Sequence, residues 1–277
     1  MRYRYALFAI TTAATLSCSG YDESTAPPPP PAPPPPGPTV LLKDVVIPNL
    51  PSPYYHFEYD ATGRVSRASF ASGFTMYEVA YVNGRIGELR NNTAGNQDRL
   101  QYFYDNGGRV RGIDYVDPMG ALRARIALAY NGQQLIRLER ERRAGNAFFV
   151  DKIMSMTYHP DGNLLEISDH RPAIDGLQTE STVIHRYEQY DDGINVDGFD
   201  LIHNEFFDHL ILLPGVQLQK GNPARLTQTV TGQNFIIDYS YTYDDQKRPL
   251  TKTGDGTFLS GPDAGERFQT HSVFTYY

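Results

Sequence analysis

An oxygen-rich stretch, DDGINVDGFD at positions 191–200, holds the side chains most able to bind a metal ion. Carboxylate and amide oxygens are the ligands that calcium prefers. Gly193 interrupts the strict spacing Asp-x-Asx-x-Asx-Gly of a calcium loop, so a plain turn is the alternative interpretation. The candidate calcium ligands are Asp191, Asp192, Asn195 and Asp197.

Other catalytic residue types are scattered or absent. His203 and His209 lie six positions apart, which does not suit the i, i+4 face of a helical metal site. The chain has no G-x-S-x-G motif and its one cysteine is Cys18, so we expect no catalytic residue and no cofactor in the folded part. Glu139 and Glu141 alternate with arginines, which is typical of a solvated strand face or a groove wall. An enzyme with two carboxylates in a cleft is the alternative.

Tyrosine dominates the aromatic residues, with twenty tyrosines and no tryptophan. Six tyrosines precede a turn in equivalent positions of a repeated pattern. One interpretation is that they stabilise each hairpin, since a structural role requires the same residue in every unit. The alternative is an exposed row whose rings stack on sugars, with Tyr59, Tyr104 and Tyr243 as the candidate ligand-binding residues. The six are Tyr59, Tyr81, Tyr104, Tyr130, Tyr158 and Tyr243.

The first twenty residues, MRYRYALFAITTAATLSCSG, have the layout of a secretory signal peptide. Arg2 and Arg4 precede an apolar run that is too short to span a bilayer comfortably. Cys18 resembles the lipidated cysteine of the bacterial lipobox, although Leu16 stands one place later than the usual leucine. We predict a signal peptide at 1–17 and lipidation of Cys18, and an ordinary cleaved signal is the alternative.

A proline-rich stretch, PPPPPAPPPPGP at 27–38, follows the signal. Such a run favours an extended, stiff spacer. Behind a lipid on Cys18 it would lift a domain off a membrane, so we interpret 18–40 as a disordered Pro-rich tether. A ligand for proline-binding domains is the alternative. No later stretch reaches 18 apolar residues, so we expect no transmembrane helix.

From about residue 40 the chain repeats one pattern: an alternating aromatic-rich strand, a tyrosine, a turn, then an often basic and an aliphatic residue. Asn83-Gly84 and Asn131-Gly132 favour tight hairpin turns. Asp60 can bond backbone amides two residues on. Arg64 follows the same turn, where its guanidinium can lie over the preceding tyrosine or pair with the turn aspartate. The repeats lie at 54–70, 77–91, 100–115, 124–140, 153–169, 185–199 and 236–253.

These hairpins predict an all-β domain at 41–277. One hairpin cannot bury its apolar face alone, so tandem hairpins should form one antiparallel sheet that curls into a barrel or super-roll to protect its edges. The alternation breaks at 200–213, where apolar spacing predicts a short helix that Asp200 caps. We expect this helix to pack on the sheet or plug one mouth of the curl, and a partner-binding helix is the alternative.

FEYDATGRV (57–65) and FYDNGGRV (103–110) resemble the YD, or Rhs-type, repeat. With the lipoprotein start, they make the chain similar to Bacteroidetes lipoproteins of unknown function that have a porin-like, curled β fold. The stretch 190–226, with Asn222-Pro223 before the last hairpin, is also similar to a late segment of that family. The repeat YNGQQLIRL departs from the pattern, because it lacks the aspartate and the arginine. The resemblance implies a fold and a place in the cell, and it implies no activity.

Charge narrows the function further. The net charge is −7 and the basic residues are dispersed, which argues against nucleic acid as the main partner. Charges on both strand faces predict a water-soluble domain despite the porin-like resemblance. We expect a secreted, lipid-anchored, non-enzymatic binding or scaffold module at the bacterial outer membrane or cell surface. Its expected partners are the membrane and a glycan or an envelope protein. A polysaccharide-acting enzyme with a cleft inside the curled sheet is the alternative.

Overall fold

The computed structural model describes residues 40–93, 95–203 and 209–277. The expected signal peptide, Cys18 and nearly all of the expected tether lie outside these residues. The described chain contains one short 3₁₀ helix, Gly198–Ile202, and is otherwise built of strands and their connections. The strands are β1 (Leu42–Val46), β2 (Tyr55–Tyr59), β3 (Val65–Phe70), β4 (Thr75–Val82), β5 (Arg85–Asn91), β6 (Arg99–Tyr104), β7 (Val110–Val116), β8 (Leu122–Asn131), β9 (Gln134–Ala144), β10 (Ala147–Tyr158), β11 (Leu164–Arg171), β12 (Ser181–Tyr190), β13 (Pro223–Val230), β14 (Phe235–Tyr243), β15 (Pro249–Phe258) and β16 (Arg267–Tyr276).

The sixteen strands form one closed, up-and-down antiparallel barrel. Each strand pairs with its neighbours in the chain, and β1 pairs with β16, where Val45 lies opposite Phe274. Closure leaves no unpaired strand edge. The all-β, curled prediction is therefore confirmed. Every strand of the closed barrel lies within 42–276, so residues 40–277 contain the complete barrel.

Six of the predicted repeats are hairpins, and each has a register shift next to its pre-turn tyrosine. In the first hairpin the shift falls between Glu58 and Tyr59. A bulge bends its strand and increases the local twist, so bulges repeated at one end supply the curvature that closure requires. The divergent repeat at 185–199 is not a hairpin, because β12 ends at Tyr190 and a long connection follows. The shifts adjoin Tyr59, Tyr81, Tyr104, Tyr130, Tyr158 and Tyr243.

The barrel has two chemically different ends. Every even-numbered strand finishes at one end, which we call the tyrosine end. Its turns carry ion pairs, such as the one between Arg64 Nη2 and Asp60 Oδ2 at 2.7 Å. Every odd-numbered strand finishes at the other end, which we call the loop end. The described chain begins next to β1 at the tyrosine end.

Eight tyrosines form a hydroxyl ring around the tyrosine end. Each lies near the end of an even-numbered strand and donates its hydroxyl to a carbonyl oxygen in the first two residues of the preceding strand. The two strands belong to different hairpins at this end, so each bond links successive units. The donor–acceptor pairs, 2.6 to 3.0 Å apart, are Tyr59–Leu42, Tyr81–Val65, Tyr104–Ile86, Tyr130–Val110, Tyr158–Leu135, Tyr190–Leu164, Tyr241–Pro223 and Tyr276–Pro249.

The turn arginines also link successive hairpins. Arg64 pairs with the aspartate of its own turn, which is one of the two predicted arrangements. Its guanidinium carbon lies 4.3 Å from the ring centroid of Tyr81 in the following hairpin. The ring contact therefore involves the next tyrosine rather than the preceding one, because β3 lies between β2 and β4 and this side chain extends toward β4. The same contact recurs in Arg85–Tyr104, Arg109–Tyr130 and Arg248–Tyr276.

The two faces of the wall differ in polarity. Inward-facing side chains such as Leu89 and Leu138 are buried in one hydrophobic core. Many outward-facing side chains are charged and pair in register. Glu58, Arg67 and Glu78 lie opposite one another on β2, β3 and β4, and Arg67 Nη1 is 3.1 Å from Glu58 Oε1.

The helix predicted near 200–213 is only partly present among the described residues of the connection between β12 and β13. Helical structure is limited to Gly198–Ile202, and residues 209–213 have no regular secondary structure, while residues 204–208 lie outside the described chain. The amide of Leu212 donates to the Tyr102 hydroxyl instead of a helical carbonyl. Leu210 and Ile211 are buried in the core, so the expected packing inside the sheet holds for these residues. Among the described residues, no helix is long and apolar enough to cross a lipid bilayer.

Candidate binding site in the barrel interior

Phe199 anchors the interior segment, which we define as residues 191–222. Its ring packs edge-on against the rings of Tyr55 and Phe57 on β2, with centroid distances of 4.9 and 5.1 Å. Leu212, later in the segment, bonds through its amide to the Tyr102 hydroxyl on β6 at 3.2 Å. Apolar and polar contacts with the wall therefore both fix the described parts of the segment.

Two aspartates of the segment bond to different strands of the wall. Asp197 Oδ2 lies 2.9 Å from Nζ of Lys252 on β15. The Tyr55 hydroxyl on β2 donates to Asp200 Oδ1 at 2.5 Å and lies 2.9 Å from Nδ1 of His203. We call these five residues the interior polar cluster. The cluster ties the segment to β2 and β15 at once.

The two carboxyl groups of the cluster have opposite electrostatic surroundings. Burial raises the pKa of Asp200 to about 6, and the hydrogen bond from Tyr55 only partly opposes this shift. Burial also disfavours the ionised forms of Asp197 and Lys252, but their mutual attraction outweighs it. The pKa of Asp197 is therefore lowered and the pKa of Lys252 is raised. The cluster thus holds one ion pair and one carboxyl group that changes protonation near pH 6.

This arrangement suits anchoring better than hydrolysis. Two carboxyl groups are the residue types that glycosidic-bond hydrolysis uses. Here Lys252 engages Asp197, and Tyr55 engages Asp200. The observed contacts hold the segment in the barrel, and Asp200 is protonated below about pH 6.

A cavity of about 210 Å³ lies between the two arms of the interior segment, 195–202 and 211–219. Its wall is mainly apolar and includes Phe199, while Asn195, Gln217 and Gln219 supply amide groups. The volume is below the roughly 300–1,000 Å³ of sites for drug-sized ligands. The cavity therefore suits a small ligand that has both apolar and hydrogen-bonding surface.

Two solved structures have a fold similar to that of this chain. One solved structure, a porin-like protein from Bacteroides uniformis ATCC 8492, has a TM-score of 0.53 and 10% identity, covering 80% of this chain and 89% of that chain. Another, a porin-like protein from Bacteroides vulgatus ATCC 8482, has a TM-score of 0.52 and 14% identity, covering 86% of this chain and 99% of that chain. This chain has a porin-like fold. No family model and no curated protein matches it, so the similarity establishes the fold alone.

The four candidate calcium ligands of this porin-like barrel are engaged by other protein groups or by one another. Asn195 directs its amide nitrogen, a donor, at Asp197 Oδ1, 2.9 Å away. Over residues 40–93, 95–203 and 209–277, no three His, Cys, Asp or Glu side chains are grouped so that they could hold a metal ion. Calcium binding here stays a prediction that the geometry does not favour. The partners are Asp191–Asn222, Asp191–Tyr243, Asp192–Lys247 and Asp197–Lys252.

The three candidate ligand-binding tyrosines lie at the tyrosine end of the porin-like barrel, away from the cluster. Tyr59 and Tyr104 belong to the hydroxyl ring, and burial raises the pKa of each to about 12, so both remain protonated donors. Tyr243 donates to Asp191 Oδ2, and Tyr241 takes its place in the ring. Sugar binding by these tyrosines stays a prediction. The observed contacts of Tyr59 and Tyr104 join neighbouring strands, whereas those of Tyr243 hold the interior segment.

Sequence reasoning missed Tyr55 and Lys252, the two wall residues of the interior polar cluster. Lys252 occupies an inward-facing position of β15, and Gly254 and Gly256 occupy the next two inward positions. A Cβ on Gly256 would lie 2.3 Å from the Phe268 ring, so any larger residue would force that ring to move. A lysine followed by two glycines at alternate positions of a strand is the available signal, because it marks an inward face with a charge and little side-chain volume.

Proposed function

We propose that this porin-like barrel is a secreted, water-facing, non-enzymatic binding or scaffold module of the cell envelope, tethered through a lipid on Cys18. The observation that carries the proposal is the polarity of the wall. A transmembrane barrel presents an apolar outer band about 25 Å tall and a polar interior. This barrel has charged pairs outside and a hydrophobic core inside.

Ion pairs occur around the outer face. On β7 and β8, Arg125 Nε lies 3.5 Å from Asp114 Oδ1. On β13 and β14, Arg225 Nε lies 2.7 Å from Asp238 Oδ1. Facing an arginine to lipid at the bilayer midplane costs about 2–4 kcal/mol. These pairs support a barrel whose outer face meets water.

The filled interior supports binding or scaffolding rather than transport. Phe199 and the interior polar cluster hold the segment against β2 and β15. A ligand would meet the cavity beside Phe199. We propose a sugar unit of a glycan as the ligand class, because the cavity combines an apolar wall with amide groups such as that of Gln217.

The N-terminal sequence supports the envelope location. Its basic start, apolar core and Cys18 resemble a lipoprotein signal in part, and the Pro-rich stretch at 27–38 separates that signal from the barrel. The turns support the YD-repeat resemblance, since Arg109 and Arg248 pair with the aspartates four positions earlier. We therefore propose a surface or outer-membrane lipoprotein of the YD-repeat type.

Three measurements test this function. Residues 40–277 should stay in solution without detergent, and recovery only in micelles would overturn the water-facing barrel. A glycan-array screen of that protein should show binding that Gln217→Ala reduces. If binding is lost instead in Tyr59→Ala and Tyr104→Ala, the binding site lies at the tyrosine end. If no glycan binds, the proposed ligand becomes an envelope protein. A palmitate analogue fed to cells should label the full chain but not Cys18→Ser.

A further inference from the structure

The loop end carries a set of exposed apolar side chains. Five of its eight connections hold one, and Met119 and Phe74 are 88% and 70% exposed. We propose that the loop end docks on a lipid surface by inserting these side chains, which we call the apolar tips. This inference goes beyond the proposed function and needs no lipid on Cys18. The apolar tips are Leu50, Phe74, Met119, Leu177 and Leu259.

The apolar tips are spread around the barrel rather than gathered in one patch. They belong to the connections β1–β2, β3–β4, β7–β8, β11–β12 and β15–β16. A protein partner fits best on a contiguous patch of matching shape. A bilayer interface accepts separate apolar side chains without shape complementarity. Connections at one end of a closed barrel also share one side of the molecule, so several can meet a flat surface together.

Two of the apolar tips, Leu50 and Phe74, have uncharged surroundings that suit a lipid interface, whereas the other three connections carry acidic residues. The β1–β2 and β3–β4 connections, IPNLPSP and ASG followed by Phe74, contain no charged residue. On the β9–β10 hairpin, Arg142 lies 3.3 Å from the buried Asp151 but keeps a 56% exposed side chain, and Arg143 is also exposed. Arginines near an apolar surface can meet the phosphates of anionic lipids. Ion pairs do not distinguish the two ends, because Asp117 beside Met119 also pairs with Arg123. The tyrosine end differs because, among the described residues, none of its connections holds an exposed large apolar side chain.

The sequence before the barrel is long enough to permit this orientation. The described chain enters at the tyrosine end, and Cys18 and residue 40 are 22 positions apart. Such a length reaches at most about 75 Å. The longest strand, the 12-residue β10, spans about 40 Å. A chain anchored at Cys18 can therefore pass the whole barrel and leave the loop end on the same membrane.

A site-specific reporter tests the inference directly, because the chain has no tryptophan. In residues 40–277, Met119→Trp should give blue-shifted emission, and quenching by brominated lipid, when vesicles of phosphatidylethanolamine and phosphatidylglycerol are added. Val82→Trp is the matched control, since Val82 is 61% exposed at the tyrosine end. Unchanged Met119→Trp emission, or an equal shift in both variants, overturns the inference.

Vesicle flotation of the same residues is the second test. The unmodified barrel should float with the vesicles, and Phe74→Ser/Met119→Ser/Leu177→Ser should lower the bound fraction at least about tenfold with an unchanged melting temperature. Equal flotation of both proteins overturns the inference. The inference is also overturned if the barrel does not bind vesicles but self-associates through the same three residues. That result would make a second copy of the chain the partner. The solubility test of the proposed function contains no lipid, so the two failures are distinguishable.

Discussion

Tyr55 and Asp200 share a 2.5 Å hydrogen bond although 145 positions separate them in the chain. Tyr55 belongs to the barrel wall and is 2% exposed. Asp200 belongs to the interior segment and lies 2 positions before the end of its 3₁₀ helix, Gly198–Ile202. The bond therefore forms only when the interior segment is packed inside the barrel.

Tyr55→Phe should destabilise the barrel. The change removes the donor to Asp200 and the contact with His203, and it leaves a buried carboxyl group without that bond. We expect the free energy of unfolding to fall by about 1–3 kcal/mol. Urea denaturation followed by circular dichroism measures it. Tyr277→Phe is the control, because that residue is 59% exposed and water can replace the hydroxyl that the change removes. Equal effects would contradict the role assigned to Tyr55.

Asp200→Asn should stabilise the barrel at pH 7.5 but not at pH 4. The pKa of Asp200 is raised from 3.8 to about 6, so the folded state binds more protons than the unfolded state between these values. Stability from this group is fully present below pH 3.8 and is lost as pH rises through about 6. Ionisation then opposes folding by up to about 3 kcal/mol at neutral pH. Asparagine keeps an acceptor for Tyr55 without the charge.

Asp197→Asn is the matched control and should act in the opposite direction. The pKa of Asp197 is lowered, since Lys252 outweighs the burial that raises it. Removing its charge leaves Lys252 without this counterion, so stability at pH 7.5 should fall. Denaturation of both variants at pH 4 and 7.5 makes the comparison. If both variants were more stable than the unmodified barrel at pH 7.5, the number of negative charges in the interior, rather than the surroundings of each carboxyl group, would determine stability.

Tyr130→Phe tests the hydroxyl ring. The change removes the 2.8 Å bond to the Val110 carbonyl and leaves the ring under Arg109. We expect a loss of about 0.5–1.5 kcal/mol, and Tyr59→Phe should cost a similar amount. Because the two tyrosines lie in different hairpins, the double variant should lose the sum. An unchanged free energy of unfolding in all three variants would show that the hydroxyl ring does not stabilise the barrel.

Gly221→Ala tests how the interior segment leaves the barrel. A Cβ at this position would lie 2.2 Å from the Asp191 carbonyl oxygen, so the backbone must shift. The shift would break the bond between the Gly221 amide and Asn163 Oδ1, and we expect a loss of at least about 2 kcal/mol. Gly107→Ala is the control, because its Cβ would meet only side-chain atoms, the nearest at 3.2 Å. Thermal unfolding compares them, and similar melting temperatures would contradict the constraint.

Local features of this fold could be predicted from sequence, and long-range ones could not. Turn residues and alternation within one hairpin define the place of Tyr59, whose bulge and neighbours follow from it. The closing pair β1–β16 lies outside the repeated pattern, and its register depends on residues as distant as Val45 and Phe274. The interior polar cluster could not be predicted from sequence for the same reason. Tyr55 and Lys252 contact a segment far away in the chain, and no local pattern records that contact.

Closure through the first and last strands makes completion of the chain a condition for a protected sheet. Asp44 Oδ2 and Thr275 Oγ1, joined at 2.9 Å, are 231 positions apart. A chain still being synthesised therefore presents β1 with one side unpaired, and so does a chain cut before β16. Contacts this distant also slow folding, since the entropy of closing the loop is lost before they form. Until β16 arrives, two open edges invite pairing with other chains, so aggregation competes with the final step of folding.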